Sequence, residues 1–191
     1  MSADTQIGKS PLRLESRAKV TGRAEYVHTM RLPGMLHAKL YRSPVAHARI
    51  RGINIDAALA LDGVHGVVTG EDIRAVIADP YYGPAFHDQP ILALDKVRYA
   101  GEPVVAVLAS DPHVAARAAR MIDVEYEELP AVFDEVEAMT SEAIVHDELK
   151  PAGAFPDLKH LAGLKNTNLA LDYHLRNGDA EQAFAKAAHV F

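Results

Sequence analysis

Glu102 is the residue of this chain whose type and setting most invite chemistry. It sits in the turn Gly101-Glu102-Pro103, directly ahead of an uncharged apolar run at residues 104–109. A carboxyl group at the mouth of a buried strand could act as a general base if burial raised its pKa. The plainer reading is a turn or interface contact, and that is the role expected here. His47, in the loop of residues 44–49, could touch a partner domain; bonding to nearby backbone or to solvent is the simpler role for a loop histidine. Tyr81, Tyr82, Phe86 and His87 form an aromatic cluster within an irregular Pro- and Gly-rich stretch, residues 79–89. Such a cluster either lines a docking surface or packs its own loop. His87-Asp88 and His146-Asp147 are adjacent pairs, too few to hold a metal without further ligands. Gly8-Lys9-Ser10 ends like a phosphate loop, but Ala3 stands where the earlier glycine is required, so that reading fails. The expectation is no catalytic, cofactor-binding or metal-binding residue in the chain. His47, Tyr81, Tyr82, Phe86, His87 and Glu102 remain as candidate interface contacts.

These residues need elements to position them. Residues 104–109 hold only Val, Ala and Leu, which predicts a strand buried on both faces. Asp111-Pro112 opens a helix, with Asp111 as N-cap and Pro112 where its missing N–H costs nothing. From Ile122 the period changes to two: Ile122, Val124 and Tyr126 face one way, Asp123, Glu125 and Glu127 the other. With Glu128, those acids read as a solvated strand face. If the two strands were parallel neighbours, the crossover would be right-handed. Earlier, residues 35–41 and 48–55 read as strands that could pair as an antiparallel hairpin across the loop at 42–47. Asp56 should cap a short helix that Gly63 ends, residues 64–69 return as a strand, and Thr69 starts another helical turn with acidic residues at its N-terminal end. Leu32-Pro33-Gly34 reads as a turn. Residues 130–136 could extend the sheet. Residues 146–165 lack a period and read as an extended arm or linker. Residues 168–175 alternate like a strand, Asp179 with Gln182 suggests a capped final helix, and His189-Val190-Phe191 looks like the opening of a strand.

Composition narrows the function classes. The 191 residues suit one domain, or one domain plus an extension. The chain has no cysteine, which excludes disulfides, thiolate metal sites, cysteine nucleophiles and iron–sulfur ligation within it. A formal net charge of -6 without a basic run argues against nucleic acid and anionic membranes as partners. No apolar run approaches a membrane span, and residues 1–10 lack the apolar stretch of a signal peptide, so a cytoplasmic location is expected.

The order of motifs is more specific than any one of them. Lys19-Val20-Thr21-Gly22 with Ala24 and Tyr26 comes first, then Leu32-Pro33-Gly34-Met35-Leu36, Arg42-Ser43-Pro44 and Ala46-His47-Ala48-Arg49-Ile50. Gly63-Val64, Val67-Val68-Thr69-Gly70, Lys96-Val97-Arg98-Tyr99 and Gly101-Glu102-Pro103-Val104 follow. Val124-Glu125-Tyr126-Glu127 and Leu129-Pro130-Ala131 close the series, and Gly178-Asp179 with Ala183-Phe184 stands further on. This series resembles the N-terminal part of the large, molybdenum-cofactor-binding subunits of the xanthine dehydrogenase, aldehyde oxidase and carbon monoxide dehydrogenase family.

The resemblance implies an α+β fold, the α/β-hammerhead domain with a mixed sheet. It divides the chain into a flexible lead-in (1–16), the hammerhead domain (17–138), and a connecting arm with the start of the molybdopterin-binding domain (139–191). It implies a hydroxylase that oxidises a heterocycle or aldehyde with oxygen from water. The cofactor would be molybdopterin, in its cytosine dinucleotide form, with iron–sulfur clusters and FAD on other subunits. The partners would be the remainder of the large subunit and those two subunits. The family's glycine-rich cofactor segments and its base glutamate lie beyond the hammerhead domain, so no residue here matches a catalytic position. A free-standing interaction module derived from the same domain, without activity, is the alternative.

Overall fold

The computed structural model describes residues 8–148, 165–171 and 177–190. The chain divides into two compact units, Met1–Met35 and Leu36–Phe191. In the first, Ser16–Val20 form a one-turn helix, α1, which the sequence reading had not anticipated. Thr21 ends it, with its N–H bonded to the carbonyl of Arg17 and its Oγ1 donating to the same carbonyl at 2.7 Å. The expected turn at Leu32-Pro33-Gly34 forms, closed by the Met35 N–H on the Leu32 carbonyl at 3.1 Å.

The second unit is built on two three-stranded sheets. One has the order β1 (His37–Arg42), β7 (Pro103–Ala109), β3 (Val64–Val68); the other β6 (Lys96–Val97), β2 (Ala48–Asn54), β8 (Asp123–Glu128). A two-residue pair, β4 (Tyr81–Tyr82) with β5 (Gln89–Pro90), sits within the 79–89 stretch. Every strand pairing among the described residues is antiparallel, so the sheets are not mixed as the resemblance implies; the α+β character comes from helices set between strands.

β7 is the centre of the first sheet. Val104 and Val105 are adjacent, so their side chains leave the strand on opposite faces, and both are fully buried. That is the two-sided burial which the uncharged run predicts. Val104, Val105 and Val107 join Val97 and Ala48 from the second sheet in one core. Each such valine contributes about 1.5–3 kcal/mol through burial. The helix after β7, α4 (Pro112–Ala119), packs on β1 and β7 through Ala115, Ala118 and Ala119. Its start is built as expected: Asp111 Oδ1 accepts from the N–H groups of His113 at 2.7 Å and Val114 at 3.2 Å. Asp111→Ala should therefore cost about 1 kcal/mol, read as a drop of a few degrees in thermal midpoint.

Several expectations need correction. β1 and β2 do not form a hairpin. β1 pairs with β7 and β2 with β6 and β8, because β7 offers the apolar, two-sided partner and lies far along the chain. For the same reason β7 and β8 are not neighbours, and the handedness rule for a crossover within one sheet does not apply to them. Asp56 is the first residue of α2 (Asp56–Leu59) rather than its cap; Ile55 holds the cap position, and the Asp56 N–H bonds to Asn54 Oδ1 at 3.0 Å. Residues 130–136 do not extend a sheet: after Pro130 the chain turns into α5 (Glu135–Ala138), capped by Asp134.

The helix opened by Thr69 is α3 (Gly70–Val76), with the reciprocal cap between Thr69 and Asp72 formed. Of the proposed strand at 168–175, the described part is not a strand. Asn168 spends its side chain on other backbone: its amide donates to the carbonyls of Ala138 and Ala143, and its Oδ1 accepts from Val145 N–H. The rest of that stretch, most of the proposed arm and Phe191 lie outside the described residues. The final helix, α6 (Ala180–Lys186), starts with Asp179 accepting from Gln182 N–H at 2.9 Å.

Candidate functional site

Glu102 is held in place by the continuation of the β1–β7 pairing past the strand ends. Ser43 N–H donates to the Glu102 carbonyl at 2.9 Å, Gly101 N–H to the Ser43 carbonyl at 2.7 Å, and Arg42 Nη1 to the Gly101 carbonyl at 2.8 Å. Gly101 has φ +97°, a conformation that L side chains rarely adopt, so glycine is what lets the chain turn here. The turn drives the Glu102 side chain inward, to 1% exposure. Its Oε2 accepts the backbone N–H of Arg98 in a short hydrogen bond. The Arg98 guanidinium stands beside it, with Nη1 3.8 Å from Oε1 and 3.3 Å from the Lys96 carbonyl. Burial pushes the Glu102 carboxyl above its ordinary value, against the opposing pull of the Arg98 N–H and guanidinium. Two buried atoms of this pair have no hydrogen bond: Glu102 Oε1 and Arg98 Nε.

Both side chains line a cavity of about 280 Å³ together with Tyr82, Asp88, Gln89 and His146. A smaller one, about 170 Å³, shares Asp88, Arg98 and His146 and adds Tyr81 and His87. Burial, with the nearby Arg98 charge, lowers the His146 pKa, so its imidazole is neutral at pH 7. Burial disfavours ionisation of Asp147, but the Lys96 ammonium, 3.1 Å away, overrides it and holds that carboxyl below its usual range. Tyr99, at the rim, is pushed up by burial and by the Glu102 charge.

The structure thus gathers four of the six candidate residues, Tyr81, Tyr82, His87 and Glu102, around two cavities that share walls. Phe86 is half-buried in the same loop and lines neither. His87 Nδ1 faces Asp79 Oδ2 at 3.6 Å across that loop. His47 is elsewhere: it is 6% exposed, its Nδ1 donates to the Pro130 carbonyl at 2.7 Å, and its Nε2 is buried without a hydrogen bond. It ties the start of β2 to the segment after β8, a structural use of the ring. Arg98 and Lys96 were not singled out from the sequence as site residues, and His146 and Asp147 were noted only as an adjacent pair. The four-residue spacing of Arg98 and Glu102 was the one local signal available. No group of three His, Cys, Asp or Glu residues that could hold a metal occurs among the described residues. The arrangement can accept and donate hydrogen bonds to something seated in it; it has no nucleophile set beside a base.

Comparison with known proteins settles the family. Residues 21–130 match the family described as aldehyde oxidase and xanthine dehydrogenase, a/b hammerhead domain. The chain belongs to that hammerhead family. It is 37% identical to the gamma subunit of the 6-hydroxypseudooxynicotine dehydrogenase complex of Paenarthrobacter nicotinovorans, over 96% of this chain and 22% of that protein. It is 38% identical to the carbon monoxide dehydrogenase large chain of Hydrogenophaga pseudoflava, over 74% of this chain and 18% of that one. The crystal structure of quinoline 2-oxidoreductase from Pseudomonas putida 86 superposes with a TM-score of 0.66 at 41% identity, covering 75% of this chain and 19% of that chain. The hammerhead chain therefore spans about a fifth of the length of these relatives. Its α+β fold with antiparallel sheets is that of the family's hammerhead domain. No helix among the described residues is long and apolar enough to cross a membrane.

Proposed function

We propose that this chain is the N-terminal, hammerhead-containing part of the large subunit of a molybdenum hydroxylase. That enzyme oxidises a heterocycle or aldehyde with oxygen derived from water. The chain's part is structural: it packs against the cofactor-binding remainder of the large subunit and helps shape the assembly. Residues 17–138 supply the hammerhead domain, and 139–191 lead toward the cofactor-binding region. The observation that carries this reading is the hammerhead match over residues 21–130, in a chain that spans only about a fifth of its relatives.

Around Glu102, the Arg98 N–H is bonded to the carboxylate, Arg98 Nη1 to the Lys96 carbonyl and the Lys96 ammonium to Asp147, which supports a structural use of these charges. Molybdopterin, as the cytosine dinucleotide, belongs to the rest of the large subunit in this reading, and iron–sulfur clusters and FAD to further subunits of a cytoplasmic complex. When bound there, the molybdenum centre accepts the two electrons of substrate oxidation. The hammerhead chain contributes shape and hydrogen-bonding surface.

The test is to express the chain with and without the remaining four-fifths of a large subunit and to assay substrate-dependent dye reduction. Activity is expected only in the complete assembly. Turnover by the 191-residue chain alone would overturn the proposal.

A further inference from the structure

Residues 8–36 have defined local structure but no core of their own. They hold the helix α1, a 3-10 turn at Val27–Thr29 and the closed turn at Leu32-Pro33-Gly34, yet not one of these residues is buried. Leu14 is 101% exposed, Leu12 91%, Val27 89%, Val20 84% and Leu32 60%. A five-residue helix is too short to hold itself together in water, so burial against another surface has to offset the cost of ordering such a segment. Exposed apolar side chains in this number mark an interaction site. The same stretch carries six Lys or Arg against two Glu, in a chain with 20 and 26 overall. Glu15 is taken by Arg13 at 2.9 Å and by Lys19 at 3.2 Å. Arg17, Arg23 and Arg31 pair with no carboxylate among the described residues. Beside α1 lies a groove of about 470 Å³, walled by Ala18, Ala24 and Tyr26 and by Lys19 and Arg23, with Glu15 and Glu25 completing it.

We propose that residues 8–36 are a docking arm, seated on an apolar surface bordered by carboxylates in the polypeptide that follows this region in a complete large subunit. The inference rests on the function proposed above. It adds which part of this chain makes the contact and what the contacted surface is made of. The exposed Leu and Val side chains need an apolar surface, and Arg17, Arg23 and Arg31 need acids at its border, since opposite charges set the register of such a contact. An anionic lipid surface is met by a sustained amphipathic helix, which the single turn of α1 does not present. The alignment with the gamma subunit covers 96% of this chain but only 22% of that protein, so the longer relative carries this segment with nearly four-fifths of its length still outside the match. Covalent continuity gives that polypeptide a high effective concentration at the arm, which a separate subunit lacks.

The experiment uses the complete, purified enzyme carrying this sequence, with photoreactive benzoylphenylalanine in place of Leu14 or Val27. Irradiation and peptide mapping should give cross-links within one large subunit, to residues beyond position 191 and close to Asp or Glu. In the same assembly, Arg17→Glu combined with Arg23→Glu should cut the cross-link yield about tenfold, because like charges would then face each other across the contact. Both positions are exposed, so the double variant leaves the core of the chain untouched. An unchanged yield in that variant would overturn the acidic border. Cross-links confined to residues 1–191, to a different subunit, to lipid, or between two large subunits (a species of doubled mass on a denaturing gel) would each overturn the arm. Molybdenum content and dye reduction of the same preparation report separately on the proposed function. A molybdenum-loaded, active assembly without the expected cross-links refutes the arm alone; a chain that never enters such an assembly refutes both.

Discussion

Gly70→Ala is expected to destabilise the chain by about 2–3 kcal/mol, read as a lower urea midpoint with an unchanged slope. Gly70 is the first residue of α3 and is buried. A Cβ there would stand 2.5 Å from the Ala93 carbonyl oxygen and 3.2 Å from Leu94 Cα. Both are backbone atoms, so no side chain can swing aside to make room. The Ala93–Leu94 segment cannot retreat freely either, because Ala93 N–H is bonded to the Pro103 carbonyl at 2.7 Å, at the start of β7. The strain would pass into the central strand. A cost below about 0.5 kcal/mol, the scale of an ordinary surface substitution, would show that this segment yields.

Glu102→Ala should cost about 3 kcal/mol, since it leaves the Arg98 N–H and guanidinium buried beside an empty acceptor position. Glu102→Gln is the informative companion, because its carbonyl can keep the bond to Arg98 N–H without a charge. The sign of the pH effect follows from the raised carboxyl pKa. The folded chain binds a proton on Glu102 more tightly than the unfolded chain does. The stability from that difference is fully present below the ordinary value of 4.5 and is lost as pH rises through the raised folded value. Urea unfolding of the wild type should therefore show this loss with rising pH, and Glu102→Gln should lack it. Parallel pH profiles for the two proteins would contradict the assignment.

What was legible in the sequence was local. The apolar run of β7, the Asp111 cap, the Thr69–Asp72 cap and the alternation of β8 are written in residues within a few positions of each other. The pairing of β1 was not, because its partner is about sixty residues on and nothing near β1 distinguishes β7 from the adjacent β2. The strand expected from residue 168 failed for a related reason. Alternation is visible in a window, but the carbonyls of Ala138 and Ala143 that capture the Asn168 amide are not. The site was half legible. Glu102 stood out by its turn, and the aromatic loop by its composition. Burial of an acid against a backbone N–H has no side-chain signature, so Arg98 was passed over, and His146 lies more than forty residues further along. The family came from the order of weak motifs, each too short to specify a fold by itself.

The central claim is that this chain shapes a molybdenum hydroxylase without holding its chemistry. The most direct measurement is molybdenum by mass spectrometry in two preparations from the same cells: the chain alone, and the chain continuous with the rest of a large subunit. The account predicts no retained molybdenum in the first and retained molybdenum, with substrate-dependent dye reduction, in the second. Molybdenum bound stoichiometrically by the 191-residue chain alone would contradict it.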